Sequence, residues 1–282
     1  MRRAAELVGA RRADGATPPL PGRPGAGGRV HETSRRVRLA DVRPDGRARL
    51  DALARYLQDV AADDVRDAGV ADERRWVIRR TYLDIARRPR YEELLDLATW
   101  CSGTGAAWAE RRTSLRGSGG AAVEAASVWV SLDPETMRPV PPGERFHRVF
   151  GAAAGQRVVR ARLLHQELAA PAGGGEDCPR GDGRLPRGVG ERRWALRAAD
   201  FDVLGHVNNA VAWGLLDEEA DLSVPRWRVG SAEVEYREPI AEPGEVTVRR
   251  AAGGATLRME VVRGGGGLAL TGLARFEPSP RL

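Results

Sequence analysis

The stretch D-F-D-V-L-G-H-V-N-N-A-V-A-W-G-L-L-D-E-E, Asp200 to Glu219, passes from an extended run into a helix. Val207, Ala210, Val211, Gly214, Leu215 and, further on, Leu222 recur at helical spacing, which predicts a helix over 206–222 with that face inward. Gly214 sits within the face. A mid-helix glycine costs about 1 kcal/mol relative to alanine, and close approach of a sheet backbone would account for it. Ahead of the helix stand an acid (Asp202), a glycine (Gly205), a histidine (His206) and two asparagines (Asn208, Asn209). The first turn of a helix has unpaired N–H groups and a partial positive charge, so it can hold a carbonyl oxygen that is becoming an oxyanion. An acid just before that turn can activate water or attack the same carbonyl. These residues point to acyl chemistry, most simply hydrolysis of an ester or thioester.

Strand-like runs follow this helix at 228–237, 244–250, 255–262 and 268–277. The first half of the chain has the same plan. A helix is predicted from Leu50 to about Ala68, with Leu50, Leu53, Ala54, Leu57, Ala61, Val65 and Ala68 in one stripe. Strand-like runs come after it at 75–86, 93–101, 106–116 and 122–132. One long helix followed by several antiparallel strands, twice over, argues for a duplicated α+β unit. The repeat lies in element order rather than in residues. Residues 1–34 are rich in Pro, Gly and Arg without apolar periodicity and read as a flexible tail. Residues 151–192 read as a linker between domains at 35–150 and 193–282.

The 282 residues, 42% hydrophobic and 30% charged, suit a soluble globular chain. No apolar run reaches membrane-spanning length, no signal peptide is visible, and two cysteines make no disulfide framework, so a cytoplasmic setting without membrane association is expected. The net charge of +6 comes from arginine alone, dispersed among acids and without a nucleic-acid recognition motif, so no nucleic acid is expected. No His/Cys/Asp cluster has metal spacing and no glycine loop has phosphate-cradling form, so neither metal nor cofactor is expected.

The chain resembles the fatty acyl–acyl carrier protein (ACP) thioesterases of plants and bacteria. In the first half the resemblance runs through W-V-I-R-R-T-Y-L-D-I-A-R-R-P-R-Y-E-E-L-L-D-L-A-T-W-C-S-G-T-G, E-R-R-T-S-L-R and A-A-S-V-W-V-S-L-D-P-E-T-M-R-P-V. In the second it runs through the Asp200–Glu218 segment and E-V-E-Y-R-E-P-I. It implies a tandem (double) hotdog fold, each half a long helix wrapped by an antiparallel sheet. It implies hydrolysis of fatty acyl–ACP to free fatty acid and carrier protein, with the acyl chain in an apolar tunnel lined by the first-half helix and sheet. Asp202 matches the family's acid, His206 its motif histidine, Asn208 and Asn209 its asparagine pair, and Glu218 a helix glutamate. Two positions depart. Leu204 stands where the family has asparagine. Pro239 and Ile240 stand where plant members have a glutamate and a cysteine, with Glu238 one step early and able to substitute only through a bulge.

Asp202, His206, Asn208 and Glu238 are the candidate catalytic residues, and Gly205, Val207, Asn209 and Glu218 the candidate substrate-binding ones. The thioester carbonyl is expected to meet the N–H groups around Gly205–Asn208. Each residue also has a plainer reading. Asp202 can cap the turn, His206 can fasten it, and the asparagines can fix the first helical turn. Glu218, on the apolar stripe, can be a buried partner of an arginine, and Asp64 on the first helix invites the same reading. Cys101 reads as a core thiol, and Cys178 falls in the linker. The alternatives to acyl–ACP hydrolysis are an acyl-CoA thioesterase, its arginines binding nucleotide phosphates, and a non-catalytic acyl-binding protein. Because both halves lie in one chain, a monomer or a homodimer is expected.

Overall fold

The computed structural model describes residues 20–70, 74–168, 188–223, 227–241 and 243–278. Most of the expected tail, and Cys178, lie outside these residues. Ten strands form one antiparallel sheet: β1 (His31–Arg36), β2 (Arg75–Arg87), β3 (Leu94–Thr104), β4 (Trp108–Gly117), β5 (Ala122–Leu132), β6 (Gly188–Ala195), β7 (Trp227–Tyr236), β8 (Glu245–Gly253), β9 (Thr256–Val262) and β10 (Leu268–Pro278). Their order across the sheet is β1-β3-β4-β5-β2-β7-β10-β9-β8-β6. From either edge inward the halves read alike, β1-β3-β4-β5-β2 and β6-β8-β9-β10-β7, which is the duplicated plan read from the sequence. The halves join where β2 meets β7, in a register that sets Thr81 opposite Val234 and Leu83 opposite Ala232.

Two long helices, α1 (Leu50–Asp67) and α3 (Asn209–Ser223), lie side by side against one face of the sheet. They share one core. Leu50, Leu53, Leu57 and Val60 of α1 pack with Leu83, Leu97, Leu115 and Val123, and Trp213 and Leu216 of α3 join Val234, Val248, Met259 and Val261. Each fully buried side chain of this size contributes about 1.5–3 kcal/mol. In β9 the alternation is direct: Leu257, Met259 and Val261 face this core and Arg258 and Glu260 the other side.

Several boundaries differ from the sequence reading. Strand β1 begins inside the expected tail and β6 inside the expected linker. A third helix, α2 (Glu144–Ala154), was not foreseen; its Phe146 stacks against Trp76 at 5.1 Å and its Phe150 is buried. Residues 155–168 run as an ordered strap across the outer face of the sheet. The Val159 N–H bonds to Thr104, the Arg162 carbonyl accepts from Arg80, and the N–H groups of Leu164 and His165 both donate to Glu235. The strap also brings donor atoms of His165, Glu233 and Glu235 within 4.8 Å of one another, a grouping invisible to sequence spacing. These groups already have protein partners: Thr271 and Glu233 for His165, Arg80 for Glu233.

The helix faces also need correction. Helix α3 starts at Asn209, after a turn that absorbs His206–Asn208, and Leu222 is exposed while Trp213, Leu216 and Ala220 are buried. Gly214 faces α1 rather than the sheet: a Cβ there would lie 3.7 Å from Asp51 Cβ. That is an ordinary van der Waals distance, so the approach of the helices does not itself demand glycine.

Asp64 on α1 is fully buried and paired with Arg29 at 2.7 Å and with Arg111. Deleting one partner of a buried pair leaves the other charge stranded, which costs about 3–5 kcal/mol. Asp64→Ala is expected to lower stability by about 3 kcal/mol or more, read from denaturant midpoints. Asp63→Ala, which removes an exposed partner of Arg66, should leave the midpoint in place.

Candidate active site

The loop ahead of α3 is built from its own backbone. A single 3-10 turn, Ala198–Asp200, is closed by Asp200 Oδ2, which accepts the Arg197 N–H at 2.8 Å. The chain then doubles back: the Asp202 N–H donates to His206 O at 2.9 Å, and the Gly205 N–H to Asp202 O at 2.9 Å. Gly205 has φ +74°, a left-handed conformation that glycine adopts without steric cost. The Asp202 carboxylate accepts the Leu204 N–H at 2.9 Å, an Asx turn that aims it along the loop. Asn208 Oδ1 accepts the Ala210 N–H at 2.9 Å and so caps the first turn of α3.

The same loop occurs in the first half, residue for residue. L-A-D-V-R-P-D-G-R-A-R, from Leu39, aligns with A-A-D-F-D-V-L-G-H-V-N, from Ala198. Asp41 caps Arg38 as Asp200 caps Arg197, and the Gly46 N–H bonds to Arg43 O with φ +76°. The Arg49 N–H donates to Asp41 O as the Asn208 N–H donates to Asp200 O. The repeat is therefore written in residues as well as in element order. Arg43, Arg47 and Arg49 occupy the places of Asp202, His206 and Asn208.

That difference changes what each loop is bound to. In the first half Arg43 is locked to α3 by Asp217, at 3.2 Å, and by Asp221. Asp217 also binds Arg88 at 3.0 Å and caps α1 through the Leu50 N–H at 3.0 Å. In the second half Leu204 instead reaches an apolar pocket of about 480 Å³ under the C-terminal half of α1. Ala61, Val65, Trp76, Cys101, Trp129 and Phe146 are among its walls. On the other side of the loop Asp202, Val203 and Asn208 face an open cleft of about 1200 Å³ between α1 and α3, lined by charged residues and by apolar ones such as Trp194, Phe201 and Leu215. Four arginines line that cleft, each paired with a carboxylate: Arg43 as above, Arg49 and Arg55 with Asp51, and Arg197 with Asp200.

The expected residues do not all converge. Asp202, Asn208 and Glu218 line the cleft. Glu218 is 44% exposed and faces Arg192, whereas the buried acid of α3 is its neighbour Glu219, held by Arg192 and Arg250. Burial had been expected one residue too early. His206 is half-buried and joined to Asp202 through its backbone carbonyl, while its imidazole bonds to none of the described residues. Val207 is half-buried against the core, and its N–H is held by Ile240 O at 2.8 Å. Asn209 opens α3, its carbonyl accepting from Tyr236 Oη at 3.0 Å, and Tyr236 in turn accepts from Trp213 at 3.0 Å. Burial raises the Tyr236 phenol above its ordinary range. The backbone irregularity needed to turn Glu238 is present, since Arg237 and Glu238 both donate to Ala269 O. It sends the side chain outward to Arg263, away from Asp202. The N–H groups of Gly205, Val207 and Asn208, expected to meet a substrate carbonyl, are already bonded to Asp202, Ile240 and Asp200.

The family model for the acyl-ACP thioesterase N-terminal domain matches residues 28–150. Over that span the chain is similar to the acyl-ACP thioesterases. An uncharacterised protein of Mycobacterium tuberculosis strain H37Rv is 27% identical over 242 residues, 84% of this chain and 88% of that protein. The chloroplastic oleoyl-acyl carrier protein thioesterase 2 of Arabidopsis thaliana is 26% identical over 200 residues, 64% of this chain and 51% of that protein. The structure of the 12:0-ACP thioesterase from Umbellularia californica aligns with a TM-score of 0.69 at 21% identity, over 90% of this chain and all of that one. An acyl-ACP thioesterase from Bacteroides thetaiotaomicron aligns with a TM-score of 0.67 at 16% identity, over 88% and 98% of the two chains. The fold is the tandem hotdog of these proteins.

Asp200 gives the loop a pH dependence. Burial alone would raise its carboxyl pKa, but the side chain and N–H of Arg197 outweigh that and hold it below the ordinary carboxylate value. A depressed folded-state pKa contributes stability above the unfolded value, about 3.9, and loses it as pH falls through the folded one. Acid titration of wild type against Asp200→Asn should show wild type losing more stability below about pH 4, with the difference between them shrinking there.

Proposed function

We propose that this protein hydrolyses fatty acyl–ACP to free fatty acid and carrier protein. The observation that carries the reading is the position of the Asp202–Leu204 turn, with an apolar pocket on one side and an open cleft that carries charged side chains on the other. A thioester lying across that turn has its alkyl chain under α1 and its carrier arm over the cleft. The similarity of residues 28–150 to the acyl-ACP thioesterase N-terminal domain supports the same substrate class. Asp202 then acts on the thioester, as base toward water or as nucleophile toward the carbonyl. His206, whose imidazole has no described partner, is the side chain free to orient that carbonyl. Asn208 and Gly205 hold the turn in shape, and Val207 and Asn209 anchor it to the core and to β7. Glu218 borders the carrier side. The mechanism runs without Glu238, which is engaged by Arg263.

The cleft arginines are paired with carboxylates, which favours a protein-borne thioester over a nucleotide-bearing one. An acidic carrier is steered by the net charge of +6. Among the described residues no helix is long and apolar enough to cross a membrane. We place the protein in the cytoplasm, as a monomer or homodimer, without nucleic acid.

Single-turnover hydrolysis of medium- and long-chain acyl–ACPs, beside the matching acyl-CoAs, tests this. Wild type should release acid fastest from the carrier, and Asp202→Asn, folded normally, should lose about 10²–10⁴-fold in rate. Tight binding of acyl–ACP without release by wild type would defeat the hydrolase reading.

A further inference from the structure

The walls of the pocket under α1 come from two sources. Ala61 and Val65 of α1 roof it, and Trp76 of β2, Trp129 of β5, Ala109 of β4 and Cys101 of β3 floor it. Those strands are neighbours in the order β2-β5-β4-β3, so the floor leads away from the seam over three interstrand steps, about 14 Å. Leu204 reaches the pocket from the second half, whose sheet begins on the other side of that seam. A tail entering beside Leu204 therefore points toward β3.

There the way is closed by α2, which packs on β3. Phe150 of α2 is fully buried in one cluster with Cys101 and Ala109, and Phe146 packs against that cluster. Phe146 also stands in the pocket wall itself, half-buried, with its ring 5.1 Å from that of Trp76. Helix α1 and the sheet belong to the duplicated frame, whereas α2 lies between the two repeats and belongs to neither. The wall it supplies is thus one that the frame does not dictate.

The space so bounded is about 480 Å³. A cavity of about 150 Å³ takes one benzene, so this one takes on the order of 18 carbons. A longer tail would have to displace Phe146 or push into the packed cluster behind it, and overfilling a packed site is unfavourable. Resting on the reading of this pocket as the acyl site, we infer that α2 is the gauge of acyl length, with Phe146 as the side chain that limits the tail to about 18 carbons.

The test is a length profile over octanoyl, dodecanoyl, hexadecanoyl, octadecanoyl and docosanoyl thioesters on one carrier protein. Wild type should take tails up to octadecanoyl and lose about tenfold or more in kcat/KM at docosanoyl. Phe146 is only half-buried, so Phe146→Ala should fold, and it should raise the docosanoyl-to-dodecanoyl ratio about tenfold. Ala109→Leu, which fills the floor, should lower the octadecanoyl-to-dodecanoyl ratio by a similar factor. A purely structural role for either residue would scale all five substrates alike. Displacement of anilinonaphthalene sulfonate by the five free acids reads the same profile as Kd without any turnover. If no thioester is cleaved but the displacement profile shifts in the variants as stated, the hydrolase reading fails and the gauge stands. Profiles of both variants that superimpose on wild type would overturn the inference, as would a wild type that takes docosanoyl as readily as dodecanoyl.

Discussion

The pairing of β2 with β7 is the constraint on which the rest depends. Five cross-strand positions, from Arg80 opposite Glu235 to Asp84 opposite Ser231, turn two five-stranded sheets into one of ten. A hydrophobic face that long is covered by two helices, and α1 and α3 lie in contact because their sheets are continuous. Asp217 fastens the approach, capping α1 from α3. Without the seam the Asp202 turn would face solvent. With it the turn looks onto the other half's helix and the pocket beneath.

Duplication gives two equivalent loops, and charge makes them unequal. Arg43 with Asp217 and Asp221 ties the first loop to α3. At the matching place in the second loop stands Asp202, and its neighbour Leu204, 58% exposed, borders an apolar pocket. Leu204 thus makes physical sense where the family has asparagine: it presents hydrocarbon to hydrocarbon. The outer face is handled differently. The strap at 155–168 covers buried Glu233, Glu235 and Glu260 and supplies them with N–H donors, so the linker serves as part of the structure.

Much of this was legible from residue order. Period-two runs located the principal strands and period-3.6 stripes located α1 and α3, because each element buries one face. Asp202, Gly205 and Asn208 could be singled out because their roles are local: an Asx turn, a positive φ and a cap. Even the residue-level repeat was present in L-A-D-V-R-P-D-G-R-A-R, masked by the change from acid and histidine to arginine. The face of α3 was harder to read. That helix lies between a sheet and another helix, so a single stripe does not describe it, and Glu219 rather than Glu218 is the residue enclosed by Arg192 and Arg250.

By itself the sequence determined the elements, their duplication and the local form of the Asp202 turn, since these follow from side-chain period and from contacts within a few residues. Tertiary structure alone decided which backbone donors were already spent, where Glu238 points, that α2 and the strap exist as ordered parts, and that Trp129 and Arg111 share a pocket with Leu204. Each of these depends on groups far apart in the chain and on the register of strands. A single step of register turns a side chain to the opposite face, and nothing local to the sequence fixes that step.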